Sequence, residues 1–263
     1  MSKRLSNKFA ALKAANKTAF IPFIMGGDPD ADASLEFLKA LPKAGADIIE
    51  IGMPFSDPMA DGPVIEAAGN RALDGGMTLA KTLEQVAAFR QTDDETPIIL
   101  MGYANPPYIM GWEKFCASAK QAGVDGLILV DLPPEEEAEA TGFLAANEID
   151  LIRLVTPTAD ALRREVILKS ASGFVYYVSV AGITGDKSAS TTALDKAMND
   201  LRAQTQLPLA IGFGIKTPAQ ASDAAQHADA VVVGSAIVKL MHEQGADAAL
   251  QLVSNLAAAT HSA

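Results

Sequence analysis

The sequence predicts an α/β fold, a (β/α)8 TIM barrel with an extra N-terminal helix, formed as a single domain by residues 1–263. Three observations predict it. Short apolar segments of strand length recur about eight times, helical patterns lie between them, and several of the segments are apolar on both faces. Strands of a parallel sheet that is covered by helices show this two-sided apolar pattern.

The expected strands are separated mostly by intervals that are typical of βα units. Residues 126–130 and 230–233 are the clearest segments with apolar residues on both faces. An open, doubly wound sheet is the alternative, but Gly26-Gly27 after the first strand does not match the dinucleotide fingerprint G-x-G-x-x-G. We therefore expect eight strands, at residues 19–25, 47–52, 97–101, 124–130, 149–155, 173–179, 207–211 and 229–233.

Apolar residues at helical spacing predict the helices. Leu5, Phe9 and Leu12 are spaced by four and three residues, which predicts an amphipathic helix over residues 2–14, before the first strand. This is the extra N-terminal helix, and we expect it to pack against the barrel. Further helices are expected through Leu35, Leu38 and Leu41 and over residues 64–73 and 78–91.

Charge and composition exclude several classes of function. The net charge of -11 and the pI near 4.7 argue against nucleic acid and against an anionic membrane surface as partners. Cys116 is the only cysteine, which excludes an internal disulfide and is compatible with a reducing compartment. His227, His242 and His261 lack companions at metal-ligand spacing, so we expect no metal site. No apolar run approaches the roughly 20 residues of a membrane span, so we expect a cytoplasmic protein.

The second expected strand carries a carboxylate, Glu50, inside an apolar run. Alternation along the strand places Ile48, Glu50 and Gly52 on one face, and we expect both faces to be buried. A buried glutamate without a partner keeps its proton well above its solution pKa, which is how a general acid or base is made. The alternative is a structural glutamate that forms an ion pair or a hydrogen bond with an adjacent strand.

A second carboxylate, Asp61, follows on a loop that is rich in glycine and proline. Because such loops commonly carry function, we interpret Asp61 as a second catalytic group. The alternative is a helix N-cap, with Pro63 early in the next helix.

The loops after the seventh and eighth strands have the composition of a phosphate site. Gly212 and Gly214 allow backbone N–H groups to approach an anion, and Gly234-Ser235 opens a helix whose N-terminus offers N–H donors and a favourable dipole. Such a site needs no Lys or Arg, which agrees with the acidic composition. Residues 182–186 are interpreted as a mobile lid that lends a further N–H, with a disordered connection as the alternative.

Aromatic residues stand at or just past several strand ends, where they could line a flat apolar pocket. Core packing would explain any one of them, but their shared position at the mouth of the barrel favours the pocket. These residues are Phe23, Tyr103, Tyr176 and Phe213.

Several motifs together resemble the tryptophan synthase alpha family. The most specific is IEIGMPFSDPMADGP at residues 49–63. Further matches are PFIMGGDP at 22–29, MGYANP at 101–106, DLP at 131–133, GITG at 182–185, GFGI at 212–215 and GSAIV at 234–238. The resemblance covers essentially the whole chain. It implies a retro-aldol cleavage of indole-3-glycerol phosphate to indole and glyceraldehyde 3-phosphate, with no cofactor in this subunit.

The resemblance also implies residue roles. Glu50 would move protons at the indole carbon and at the glycerol hydroxyl, and Asp61 would receive the indole N–H. The other implied residues form an indole pocket and a phosphate site. The pocket would comprise Phe23, Met101, Tyr103, Val130, Leu154, Tyr176, Thr184 and Phe213, and the phosphate site Gly185, Gly214, Gly234 and Ser235.

A beta subunit that uses pyridoxal phosphate to join indole to serine is implied as the partner, in an alpha2-beta2 heterotetramer that passes indole internally. The partner would contact Asp57, Pro58, Asn105 and Pro106. The loop before Asp61 is expected to protrude and to expose Phe55, Met59 and Asp57, which suits a protein partner. The alternative is that Phe55 and Met59 fold back onto the barrel.

Two positions depart from the family pattern and two rival functions remain open. Val180 replaces an arginine of the lid and Met101 replaces a leucine of the pocket, which affects lid dynamics and pocket shape. One rival is another phosphate-binding barrel enzyme. Such an enzyme is expected to carry a catalytic Lys or Cys at its strand ends, and Lys is absent from the strand ends here. The other is a non-catalytic activating subunit, which would release no indole.

Overall fold

A computed structural model describes residues 2–178, 187–212 and 214–263, with the backbone alone for residues 187–192. Its described residues form nine parallel strand segments in the order β5-β4-β3-β2-β1-β9-β8-β7-β6. They are β1 (Ala19–Met25), β2 (Ile49–Gly52), β3 (Ile98–Gly102), β4 (Gly126–Leu129), β5 (Asp150–Leu151), β6 (Arg153–Val155), β7 (Val175–Val178), β8 (Leu209–Gly212) and β9 (Ala230–Val233).

Twelve α-helices surround these strands within the described ranges. They are α1 (Lys3–Ala14), α2 (Ala31–Ala40), α3 (Pro63–Asp74), α4 (Leu79–Arg90), α5 (Asn105–Met110), α6 (Trp112–Ala122), α7 (Ala138–Ala146), α8 (Ala161–Leu168), α9 (Lys187–Arg202), α10 (Pro218–Ala225), α11 (Ser235–Gln244) and α12 (Ala246–His261), with one short 3-10 helix at Pro134–Glu136. None of the helices described here is both long enough and apolar enough to cross a membrane.

The barrel closes through a strand that is interrupted at Ile152. β5 pairs with β4 and β6 pairs with β7, and these two segments are separated in the chain by this one residue. The Ile152 N–H still donates to the carbonyl of Leu127 at 3.0 Å. The two segments are therefore one barrel strand, which confirms the predicted (β/α)8 barrel.

Two apolar layers follow from the strand alternation. Ile48, Ile99, Ile128 and Ile152 fill the inside of the barrel, because every second residue of a strand points to the same face. The residues between them point outward into the layer beneath the helices, where Ile49 and its counterparts are fully buried. Both faces of β2 are buried, as predicted.

The extra N-terminal helix α1 packs across the end of the barrel where the strands begin. Leu5 is fully buried, and the ring of Phe9 lies 5.9 Å from that of Phe174. The backbone N–H of Ser2 donates to Asp150 Oδ2 at 2.8 Å, and the Ser2 hydroxyl donates to Asp125. This helix therefore covers the amino-terminal end of the barrel, which confirms that expectation.

Asp125 is the centre of a buried charge cluster at this end. Its Oδ2 accepts from Arg90 Nη2 at 2.8 Å and from the Ile98 N–H at 3.0 Å, and both side chains of the ion pair are buried. Such a pair is costly to break, because the remaining partner becomes an uncompensated buried charge.

We expect Asp125→Ala to lower the free energy of unfolding by about 3–5 kcal/mol, since it strands Arg90 in the core. Urea unfolding of the purified chain measures this. Glu148→Ala is the matched control, because it breaks the exposed ion pair with Lys120 and should cost about 0–1 kcal/mol. Equal losses for the two variants would contradict the assignment.

Candidate active site

The candidate site lies at the carboxyl end of the strands, around Glu50 of β2. Glu50 stands in register with Phe23 of β1 on one side and Ile99 of β3 on the other. Residues in register on neighbouring parallel strands project to the same face, so all three side chains point into the barrel. The alternation expected from the sequence therefore holds, and the carboxyl group is placed among apolar side chains.

The Glu50 carboxyl group is buried and incompletely bonded. The residue is 1% exposed, and its Oε2 has no hydrogen-bond partner in the part of the chain that the structure describes. Burial raises the pKa of Glu50 to about 8. A group with this pKa holds its proton at neutral pH and can also release it, which suits a general acid and base.

Tyr176 lies next to Glu50 inside the barrel. Burial raises the pKa of Tyr176 well above its usual value, and the charge of Glu50 raises it further. The hydroxyl of Tyr176 reaches over Gly212, where a Cβ atom would collide with it. Gly212 therefore leaves room for the tyrosine hydroxyl. This steric role adds to the one expected from the sequence, in which Gly212 allows backbone N–H groups to approach an anion.

Asp61 lies on the loop between β2 and α3 and is half-buried. The alternative interpretation as a helix cap is wrong, because Gly62 occupies the N-cap position of α3 and Pro63 begins the helix. Burial raises the pKa of Asp61, the charge of Glu66 raises it further, and a hydrogen bond from Tyr103 lowers it. Asp61 thus remains available as a second carboxylate beside the barrel mouth.

The expected pocket residues fall into two adjoining groups. Tyr176 belongs to the apolar interior of the barrel, and half-buried Met101, Val130 and Leu154 pack against that interior. Phe23 belongs to a smaller cluster with Met25 and Val238, against which Met101 also packs. Met101 therefore joins the two groups. Thr184 and Phe213 lie outside the described residues, as do Val180 and the expected lid at 182–186.

The expected phosphate residues lie on neighbouring loops after β8 and β9. Gly214 has a φ of 78°, in the left-handed region that favours glycine. Gly234 precedes the first turn of α11, and a Cβ atom there would lie 3.2 Å from the Cβ of Phe23. Gly234 therefore permits a close approach between the helix start and the pocket wall. Gly185 lies outside the described residues.

The residues expected to contact a partner lie on two loops at the same end of the barrel. Asp57 and Asn105 are exposed, and Pro58 and Pro106 are half-buried. The expectation that Phe55 is exposed is wrong, because its ring packs on Tyr103 at 5.4 Å and is half-buried.

Exposed apolar residues extend this partner face. Met59 is 80% exposed, as expected, and Ile109 of α5 is 75% exposed. Tyr108 beside Ile109 is also exposed. Tyr108 and Ile109 were not predicted, although the apolar run directly after Asn105-Pro106 was a usable signal.

The described residues contain no group of three or more His, Cys, Asp or Glu side chains that could hold a metal ion. His227 contacts Asp195 at 2.6 Å and His261 contacts Asp47 at 2.7 Å. Each of these two histidines is therefore paired with a single carboxylate.

Fold and site define the class of the protein, a (β/α)8-barrel enzyme with carboxylates at the carboxyl ends of its strands. A family model described as tryptophan synthase alpha chain matches residues 9–262, and the chain belongs to this family. The activity of the family is the cleavage of indole-3-glycerol phosphate, so the chain is a lyase of tryptophan biosynthesis. The alpha chain has no cofactor of its own, and membership in the family implies a beta partner.

Solved structures agree with this assignment. The chain is 39% identical to tryptophan synthase subunit alpha from Legionella pneumophila, with a TM-score of 0.92 over 99% of this chain and 98% of that one. It is 34% identical to a chain of tryptophan synthase from M. tuberculosis in an aminoacrylate-bound form, with a TM-score of 0.89 over 98% and 99% of the two chains. A structure from Aquifex aeolicus matches at 35% identity and a TM-score of 0.92, over 99% of this chain and 100% of that one.

The raised pKa of Glu50 predicts a pH-dependent cost to stability. An acid whose pKa is higher in the folded state resists ionisation there, so the fold loses stability as pH rises from the unfolded pKa of 4.5 towards 8. The loss is about 1.4 kcal/mol per pH unit, up to about 5 kcal/mol above pH 8.

We expect Glu50→Gln to be more stable than the parent chain by an amount that grows between about pH 5 and pH 8 and then levels off. Urea unfolding across this range measures the difference. Glu84→Gln on the exposed face of α4 is the control and should show no such growth. A difference for Glu50→Gln that stays constant with pH would contradict the raised pKa.

Proposed function

We propose that Glu50 is the general acid and base of indole-3-glycerol phosphate cleavage and that Asp61 stabilises the positive charge that develops on the indole ring. One observation carries this proposal. Glu50 is a buried carboxyl group at the active end of a barrel strand, its Oε2 has no bonding partner among the described residues, and its pKa is raised to about 8. A structural glutamate would be expected to have its buried oxygens bonded.

The proposed reaction needs a proton at two places. Protonated Glu50 gives its proton to the ring carbon that carries the glycerol chain, which places positive charge on the ring nitrogen. The resulting carboxylate takes the proton of the hydroxyl on the adjacent chain carbon. The carbon–carbon bond then breaks, its electrons return to the ring, and the aldehyde of glyceraldehyde 3-phosphate forms. Glu50 ends the cycle protonated, so the single group serves both steps.

Asp61 has a different role because its environment differs. It is half-buried, and a hydrogen bond from Tyr103 favours its ionised form against the effect of burial. An anion that accepts the indole N–H would be stabilised as the ring becomes positive, and would stabilise the ring in turn. Two carboxyl groups in unlike surroundings can thus divide proton transfer and charge stabilisation.

The substrate is proposed to lie between the apolar pocket and the glycine-lined loops. The indole would contact Met101 and Tyr176 with the other pocket residues, including Thr184 and Phe213. The phosphate would be held by backbone N–H groups around Gly185, Gly214, Gly234 and Ser235. The start of α11 supports this, because Gly234 and Ser235 are half-buried there without a side-chain cap, and a helix N-terminus attracts an anion without any basic side chain.

The partner is proposed to be a beta subunit that carries pyridoxal phosphate and joins indole to serine, in an alpha2-beta2 heterotetramer. The proposed contact face comprises Asp57, Pro58, Asn105 and Pro106. The exposed side chains of Met59 and Ile109 support it, because apolar groups exposed on one face mark a protein interaction site. The cytoplasmic location and the single domain over residues 1–263 stay predictions.

We expect Glu50→Gln to lower turnover by about 10²–10⁴-fold, because it keeps the shape of the side chain and removes its proton transfer. Asp61→Asn should lower turnover by about 10²–10³-fold, since an amide cannot offset the ring charge. Release of indole from indole-3-glycerol phosphate measures both, with and without beta subunit.

Glu84→Gln is the matched control and should retain full turnover. Near-normal indole release by a folded Glu50→Gln chain would overturn the proposed mechanism. No indole release by the parent chain under any of these conditions would favour the alternative of a non-catalytic activating subunit.

A further inference from the structure

Tyr103 lies where the Asp61 loop meets the barrel. It follows directly after β3, and it is 2% exposed. Its hydroxyl oxygen accepts the backbone N–H of Ala60 at 3.0 Å, and its hydroxyl group lowers the pKa of the neighbouring Asp61 carboxyl group, as a donor to the ionised form does. The ring of Phe55 packs on the Tyr103 ring at 5.4 Å. One tyrosine therefore contacts the loop at Phe55 and Ala60 and acts on the carboxyl group of Asp61.

The hydrogen-bond directions at Tyr103 are determined by its partners. Burial, together with the charges of Asp61 and Asp131, raises the pKa of Tyr103 to about 12, so the hydroxyl keeps its proton at neutral pH. The amide of Ala60 can only donate, so it occupies a lone pair of the hydroxyl oxygen. The hydroxyl proton is then available to the Asp61 carboxylate, which can only accept when ionised.

The backbone next to Tyr103 is itself fixed. The N–H of Ala104 donates to Asp131 Oδ1 at 2.8 Å, from the loop after β4. Tyr103 therefore follows a strand end that is hydrogen-bonded to the loop after the neighbouring strand. The Asp61 loop in turn is hydrogen-bonded to Tyr103 through the Ala60 amide. A support of this kind can hold a carboxylate in one orientation.

We propose that Tyr103 is a positioning residue for the reaction, because its hydroxyl bridges the Ala60 amide and the Asp61 carboxylate and so holds that carboxylate towards the barrel mouth. This inference rests on the proposed function of Asp61. A residue that only lines the indole pocket would need its aromatic ring but not its hydroxyl group, so the two roles of Tyr103 can be told apart.

The charges around Asp61 define what the loss of this hydroxyl would do. Glu66 of α3 faces Asp61 and raises its pKa, burial raises it as well, and the Tyr103 hydroxyl lowers it. The charge of Asp131, on the loop after β4, raises the pKa of Tyr103. Removing the hydroxyl removes the group that favours the ionised form, so the pKa of Asp61 should rise and Asp61 should become protonated at a higher pH.

Tyr103→Phe tests the proposal, because it keeps the ring and its contact with Phe55. Indole release is measured against pH with the full chain and its beta partner. We expect kcat to fall by about 10–100-fold, the range for a hydrogen bond to a charged group, with a smaller change in KM. The acidic limb of the pH profile should move to higher pH. Tyr177→Phe, on a buried residue of β7 outside the proposed site, is the matched control and should change neither quantity.

A second measurement does not depend on activity. Carbon-detected NMR of the full chain without ligand follows the Asp61 carboxyl group through its titration, and Tyr103→Phe should raise its pKa. The cost of Tyr103→Phe should also disappear in an Asp61→Asn background, since the hydroxyl then has no carboxylate to hold.

The outcomes separate this proposal from the one on which it rests. If Asp61→Asn retained full turnover, the proposed role of Asp61 would fall, and this inference with it. The other outcome concerns Tyr103 alone. If Asp61→Asn lost turnover but Tyr103→Phe changed none of kcat, the acidic limb of the pH profile and the pKa of Asp61, only the positioning role would be overturned.

Discussion

The burial of one carboxyl group, that of Glu50, is the constraint on which the rest of the structure depends. An ionised carboxylate in an apolar interior is strongly disfavoured, so the group holds its proton and its pKa rises to about 8. The surrounding packing must be tight enough to exclude water. Closed parallel strands provide this, because Ile48 and Ile99 fill the interior beside Glu50 while helices cover the outside.

Buried acidic groups are bonded differently at the two ends of the barrel. At the amino-terminal end, Asp125 is fully bonded to Arg90, to a backbone amide and to Ser2, and α1 covers the cluster. At the carboxyl end, Glu50 is left with an unbonded oxygen among the described residues. Paired charges such as Asp125 and Arg90 stabilise the fold, whereas the unpaired, protonated carboxyl group of Glu50 is suited to proton transfer. This division matches the general separation of stability and catalysis between the two ends of such barrels.

The sequence predicted the elements of the fold better than the contacts between them. Short apolar runs located every strand that the structure describes, and alternation placed Glu50 inside, because both depend on local periodicity. The break at Ile152 has no local signal. The packing of Phe55 on Tyr103 joins residues far apart in the chain, and so does the ion pair of buried Arg153 with Glu137. The roles of Asp61 and of the pocket residues came from family resemblance, since composition alone left each one open.

The most direct test of the account is a titration of the Glu50 carboxyl group itself, by carbon-detected NMR on the full chain without ligand. We expect a pKa of about 8, because the apolar interior of the barrel disfavours the ionised form. A value near 4.5, that of an exposed glutamate, would contradict it, since Glu50 would then be ionised at neutral pH and would have no proton to give to the indole ring.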